Sequence, residues 1–283
     1  MSFAGVLSIA VSGVNAFAKS LAAVSTNIAN SQTAGFKRTR TEFADLVAAE
    51  AAQPRGLAGG VGASNRTLAE EQGALARTNT STNVAVAGAG YFVVAQDAAA
   101  APPFLFTRSG DFAPNAEGAL VNGVGYFLQG YATDADGASA TSGLAGLQTV
   151  NINRPPPLTA GSAAPGALVG VEIDDEGRVM ARYETGERVA LYRIPLALFP
   201  NAEGLAETRG AAFLQTTAAG ALSLVLPREG RAGAVEGEAL EISTVDIGRE
   251  FSTLIETQRA YATNARVIGV ADELWRTLTA TAA

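Results

Sequence analysis

The sequence predicts an α+β chain, with a long helix at each end pairing as a coiled coil and a mostly antiparallel β-domain between them. Three observations predict it. An apolar stripe at heptad spacing opens the chain, a second closes it, and the middle is rich in β-branched and aromatic runs cut by glycine turns.

The first helix is expected over 2–29. Phe3, Leu7, Ala10, Val14, Phe17, Leu21, Val24 and Ile28 follow one another in steps of four and three, which keeps them on one helix face. No proline interrupts the run, and Asn30, Ser31 and Gly35 follow as breakers. The last helix is expected over 246–279. Ile247, Leu254, Tyr261, Ile268 and Trp275 recur every seven residues, with Phe251 and Ile255 widening the stripe. Asp246 suits the N-cap and Glu250 the positive end of the helix. Such helices are marginal in water until the stripe is buried.

Strand-like runs cover 84–94, 104–108, 119–131, 170–173, 178–183, 188–199 and 221–226. A short pattern, Asn115-Ala-Glu-Gly118, Asp174-Asp-Glu-Gly177 and Asn201-Ala-Glu-Gly204, places a glycine where a tight turn needs it. The expected organisation is a terminal-helix domain of 1–33 with 245–283, a linker over 34–69, and a β-domain over 70–244. An excursion rich in Gly, Ser and Pro falls at 132–167.

Composition narrows the chemistry. The chain has no Cys and no His, which removes the usual ligands of zinc, haem and iron–sulfur sites and the histidine of nucleophilic triads. A net charge of −7 provides no basic stripe for nucleic acid. No apolar run reads as long enough to span a membrane, and with Lys19 as the first lysine the N-terminus has no basic region of a cleaved signal. Asp134-Ala-Asp136-Gly137 begins like a calcium loop, but Ala145 stands where the bidentate glutamate belongs. Glu70-Glu71 and Asp174-Asp175-Glu176 read as solvated turns. Gly88-Ala-Gly90 lacks the Lys-Ser/Thr of a phosphate loop. No catalytic residue, cofactor or metal is assigned.

Two long motifs then add a resemblance. Asn27-Ile-Ala-Asn30-Ser-Gln-Thr-Ala-Gly35-Phe36-Lys37-Arg38 resembles the N-terminal signature of the flagellar rod and hook protein family. Glu250 through Gln258, Arg259 and Asn264 to Ile268 resembles that family's C-terminal helix. Between them, 84–94, Phe106-Thr-Arg-Ser-Gly-Asp-Phe112, Leu120-Val-Asn-Gly123, 190–199 and 240–246 are similar to later family segments. Leu128-Gln-Gly-Tyr131 is similar to the hook branch. The outer domain typical of hook proteins has no counterpart except the excursion, so the chain resembles a short hook protein; its length also matches the distal rod branch.

The resemblance implies a non-enzymatic subunit of a helical homopolymer. The terminal helices would line a channel, and the curved tube would act as a universal joint between rod and filament. It implies contacts with itself, with rod, hook cap and hook–filament junction proteins, and with the flagellar type III export apparatus. The acidic charge and the apolar run lengths leave nucleic acid and membrane insertion unexpected. Gln258 and Arg259 would supply polarity toward neighbouring copies or the channel. Alternatives from other classes are a monomeric β-rich binding module and a carboxylate-based hydrolase.

Overall fold

The computed structural model describes residues 3–47, 58–134, 137–139, 142–157 and 166–281. Helix α1 spans Phe3–Ala29 and helix α2 spans Ile247–Thr281. Asp246 caps α2, its Oδ1 accepting from the Arg249 amide at 3.0 Å.

The chain divides into two units. One comprises Met1–Ser31, Arg38–Leu68 and Val245–Ala283; the other comprises Gln32–Lys37 and Ala69–Thr244. In the first, α1 and α2 pack against each other, and α1 also packs on a hairpin of strands β1 (Thr39–Val47) and β2 (Ala58–Thr67). This hairpin replaces much of the expected linker. Thr39, Thr41 and Phe43 alternate as a strand requires, while the partner strand's Gly and Ala hide its register in the sequence. Within the irregular stretch expected at 48–63, residues 48–57 lie outside the described set.

The hairpin is fixed to α1 by named contacts. Ser12 Oγ accepts from the Val61 amide at 3.1 Å, Lys19 Nζ donates to the Ala63 carbonyl at 3.2 Å, and the rings of Phe17 and Phe43 lie 5.4 Å apart. Gly60 is required here. Its φ is +114°, and a Cβ would sit 2.4 Å from Ser12 Oγ.

One sequence expectation is corrected. Gly5–Ala29 is, by length and composition, apolar enough to cross a membrane, with a mean hydropathy of 1.5. Scattered serines and small residues disguise this in the sequence, and in this fold α2 and the hairpin cover only part of the helix.

The second unit is antiparallel throughout, as expected. Its main sheet runs in the order Leu168–Ile173, Arg178–Tyr183, Arg188–Arg193, Phe127–Ala132, Tyr91–Ala95, Leu105–Thr107, Ala212–Leu214, Ala206–Thr208. One apolar cluster holds Phe92, Leu105, Phe112, Leu120, Leu128, Leu191 and Ile194; another holds Tyr91, Val93, Phe106, Ala197 and Phe213. The run 84–94 is two strands, broken where Gly88 and Gly90 take φ of +108° and +130°. Turns at Gly118 and Gly177 take the expected positive φ, and Asn115 and Asp174 each accept two backbone amides to close them. The third pattern differs: Ala202–Gly204 is a single 3-10 turn. Part of the expected excursion is integral to the fold, because Leu147–Thr149 pairs with Phe127–Ala132. Residues 135–136, 140–141 and 158–165 of that stretch lie outside the described set.

Candidate assembly surfaces

In the helical unit, α1 and α2 run antiparallel: Asn27 meets Glu250, and Gly13 meets Asn264. A Cβ on Gly13 would stand 3.0 Å from Asn264 Oδ1, so the glycine leaves the space that the Asn264 side chain fills. The buried positions of α1 are small: Ala10, Gly13, Ala16, Ser20 and Ala23, together with Val24 and Asn27. The stripe of large residues lies to one side of them. Leu7, Val14, Phe17, Leu21 and Ile28 are only half-buried, and the Phe3 side chain is outside the described set.

Helix α2 is more unusual. In its N-terminal half the buried or half-buried positions are Glu250, Thr253, Leu254, Thr257, Ala260 and Asn264, while Ile247, Phe251, Ile255 and Tyr261 are exposed. Glu250, Thr253, Thr257 and Asn264 face inward, whereas Arg249, Ser252, Glu256, Gln258, Arg259 and Thr263 face out. The inward hydroxyls and amide are satisfied on their own helix. Thr253 Oγ1 donates to the Arg249 carbonyl, Thr257 Oγ1 to the Thr253 carbonyl, and Asn264 Nδ2 to the Ala260 carbonyl, at 2.7–3.0 Å.

The heptad stripe read from the sequence explains part of this. A straight helix drifts about 20° per seven residues against a strict heptad. The stripe therefore does not stay in the seam: Leu254 and Ile268 are half-buried, while Ile247 and Tyr261 are exposed. Trp275 is exposed. Gln258 and Arg259 are both exposed.

A polar node sits where α1 ends and α2 begins. The Asn27 side chain pairs with Thr39 as a peptide would, Nδ2 donating to its carbonyl at 2.8 Å and Oδ1 accepting from its amide at 2.9 Å. The same Nδ2 donates to Glu250 Oε2 at 3.1 Å, and Arg38 Nε donates to Glu250 Oε1 at 2.5 Å. Asn27 and Glu250 are both buried. Asn30 plays a local part, its Nδ2 closing the last turn of α1 on the Thr26 carbonyl.

The rest of the N-terminal motif belongs to the β unit. Gly35 takes φ +68°, and its amide donates to the Glu241 carbonyl at 2.7 Å; buried Phe36 accepts from the Thr244 amide through its own carbonyl. Lys37 Nζ donates to Glu241 Oε1 at 2.5 Å and to the Glu71 carbonyl. Arg108 Nη1 donates to Glu241 Oε2 at 3.1 Å and Nη2 to the Gly88 carbonyl at 2.7 Å, with the guanidinium 5.0 Å from the Tyr91 ring centre. The side chains of Lys37, Arg108 and Glu241 are 1%, 3% and 0% exposed. Burial holds the Lys37 ammonium below the usual lysine range; Glu241 pulls it back up and Arg108 pushes it down. Burial likewise lifts the Tyr91 phenol to about 12. The sequence reading did not single out Arg108 or Glu241, although each is a charge inside an apolar strand-like run.

The acidic turns set aside in the sequence have structural partners. Asp174 pairs with Arg178 at 2.7 Å, and Asp134 Oδ1 accepts from the Ala138 amide. Among the described residues no group of acidic side chains is gathered in a metal-binding cluster.

Comparison with known proteins assigns the family. Three family models match along the chain: "Flagella basal body rod protein" over residues 7–37, "Flagellar hook protein FlgE/F/G D1 domain" over 85–181, and "Flagellar basal body rod FlgEFG protein C-terminal" over 236–281. The flagellar basal-body rod protein FlgG of Agrobacterium fabrum is 31% identical, over 95% of this chain and 95% of its own length. The chain belongs to the flagellar hook and rod axial protein family. The FlgG of Caulobacter vibrioides is 30% identical over 94% of both chains. The flagellar hook protein FlgE of Brucella suis is 26% identical over 97% of this chain and 98% of its own. That alignment runs to 393 residues, longer than this 283-residue chain, so the hook relative carries segments absent here. The axial-protein models meet the Asn27–Lys37 motif at one end and the Glu250–Asn264 motif at the other, the segments that build the node and the buried charge cluster. As a family of structural parts, it implies a non-enzymatic role.

Proposed function

We propose that the chain is a structural subunit of the flagellar hook, polymerising through its terminal helices into a curved hollow tube between rod and filament. The observation that carries the assembly reading is the set of large apolar side chains left exposed on α2, including Phe251, Ile255, Leu274 and Trp275. A monomer has no use for such a surface, and burying each large side chain contributes about 1.5–3 kcal/mol. In the polymer the large stripes of α1 and α2 enter coiled-coil seams with neighbouring copies, and exposed Gln258 and Arg259 supply polar contacts there or toward the channel. The partners are further copies, the rod, hook-cap and hook–filament junction proteins, and the type III export apparatus, with the hook outside the cell.

The hook reading draws support from Leu128-Gln-Gly-Tyr131 and from the end-to-end match with hook relatives. A second reading, a distal rod subunit, draws support from equal length and higher identity with the rod relatives. Electron microscopy of the native assembly, labelled through a tag on this chain, separates them. Label along a curved tube outside the cell is expected; label confined to a straight shaft in the basal body would replace hook with rod.

A further inference from the structure

Asn122-Gly123 is the one Asn-Gly pair in the sequence, and the fold surrounds it with the parts of a reaction. The pair lies in the turn between strands Leu120–Val121 and Phe127–Ala132. Asn122 is buried and Gly123 is exposed. Asn122 Oδ1 accepts from the Val124 amide at 3.2 Å and from the Tyr126 amide at 2.9 Å. An Asx turn of this kind folds the side-chain carbonyl back over the peptide that follows it. The Gly123 amide donates to Asp111 Oδ2 at 3.2 Å, and the other oxygen of Asp111 accepts from Ser109 Oγ. Asn122 Nδ2, although buried, has no hydrogen-bond partner among the described residues. Only glycine suits position 123, since a Cβ there would stand 2.9 Å from Asp111 Oδ2.

We infer that Asn122 is a self-modification site, converted through a succinimide to aspartate and isoaspartate, with Asp111 as the base. The Gly123 nitrogen bonds to Asn122 Cγ while Asp111 takes its proton. The carbonyl π pair moves onto Oδ1, where the Val124 and Tyr126 amides meet the developing oxyanion. As that pair returns, the Cγ–Nδ2 bond breaks, and Nδ2 leaves as ammonia with the proton that Asp111 took. Water then opens the ring at either carbonyl. The net change is one water in and one ammonia out, and Asp111 ends as it began. Asp111 stands within the hydrogen-bond reach that a general base needs.

Asn115 shows what is particular to this turn. Its Oδ1 also accepts two backbone amides, from Glu117 and Ala119, but the residue after it is Ala116, whose methyl group hinders the attack. At 122 the product puts a further negative charge beside Asp111. Its isoaspartyl form adds a carbon to the backbone just before Phe127–Ala132, a central strand of the sheet. The change is irreversible, so it marks the age of a chain. It concerns the β unit alone and does not depend on the assembly reading.

The test is a time course on the full-length chain at neutral pH, read by peptide mapping with mass spectrometry and by ammonia release. The same chain unfolded in guanidinium chloride is the reference. Modification at 122 is expected to run roughly 100-fold faster in the folded chain, the low end of what a positioned base contributes, while Asn115 stays intact. A folded rate equal to or below the unfolded one overturns the proposal, because the turn then only protects the asparagine.

Asp111→Asn keeps an acceptor for the Gly123 amide and removes the base. It is expected to lose most of the acceleration while circular dichroism shows the fold intact; a folded variant reacting at the parent's rate removes Asp111 from the reaction. Should Asp111→Asn not fold, the pH profile of the parent decides. An unfolded chain depends on hydroxide, so its rate climbs with pH, whereas a carboxylate base keeps its charge from about pH 6 to pH 8 and gives a flat rate. A folded rate that climbs in proportion to hydroxide overturns the part given to Asp111.

Discussion

The Glu241 carboxylate holds the Lys37 ammonium at 2.5 Å with both groups closed to water. Lys37 comes from the motif that follows α1 and Glu241 from the segment that precedes α2, so the two family signatures meet inside the β unit. The sequence neighbour Arg38 belongs to the helical unit and bonds to a different acid, Glu250. Two adjacent basic residues thus serve two separate buried carboxylates.

Glu241 also accepts from Arg108 and from the Gly73 amide. Glu241→Gln is expected to leave two buried cations without a counter-charge and to cost about 3–5 kcal/mol. Urea unfolding of the β unit reads this as a lower midpoint at unchanged slope. A midpoint equal to that of the parent chain would contradict the role given to the cluster.

Gly35→Ala should be costly for two separate reasons. A left-handed φ of +68° strains an L-residue, and the new Cβ would fall 2.3 Å from the Ser109 amide nitrogen. Strain alone costs about 1–2 kcal/mol, and the backbone overlap adds to it. Thermal unfolding checks this, with Gly125→Ala, where φ is also positive but nothing crowds the Cβ, as the comparison that isolates the overlap.

Tyr91 predicts a pH dependence with a definite sign. Its phenol titrates near 12 in the fold because burial disfavours the phenolate, against about 10 when unfolded. A folded value above the unfolded one gives stability that is complete below pH 10 and lost as pH rises toward 12. Two pH units correspond to about 3 kcal/mol. Tyr91→Phe should flatten the fall between pH 10 and 12, while losing the 2.7 Å hydrogen bond to the Ala69 carbonyl, worth about 1 kcal/mol at neutral pH. Denaturant titrations at stepped pH measure both effects.

Leu21→Asp should abolish tube formation and leave the melting of the β unit unchanged. It places a charge on the α1 stripe, in the helical unit, and Leu21 belongs to neither of the apolar clusters that hold the sheet. Electron microscopy of the variant reads the first effect and calorimetry the second; normal tubes would remove the stripe from the assembly contact.

Both helices were legible from apolar spacing and capping, and the antiparallel β-domain from its runs and turns, because burial and φ preference act locally. The seam was not. Heptad counting found buried Ala10 and Val24, but α1 also buries Gly13, Ala16 and Ser20, whose small size carries no periodic apolar signal. The β1–β2 hairpin was hidden for a similar reason, since Gly and Ala in β2 read as loop while their pairing is set by Ser12, Lys19 and Phe17 on α1. The motif residues Asn27, Gly35 and Lys37 were found as a pattern; their partners Thr39, Ser109, Arg108 and Glu241 became visible only in three dimensions.

The threonines along the inner side of α2 bond only backwards along their own helix. Lengthwise slip of one helix past the other therefore breaks no hydroxyl contact, but it meets the Asn264 side chain seated at Gly13 and the bonds of Glu250 to Asn27 and Arg38. The pair is latched at two levels, and axial strain on a copy would fall on those two points while the threonines between them give way freely.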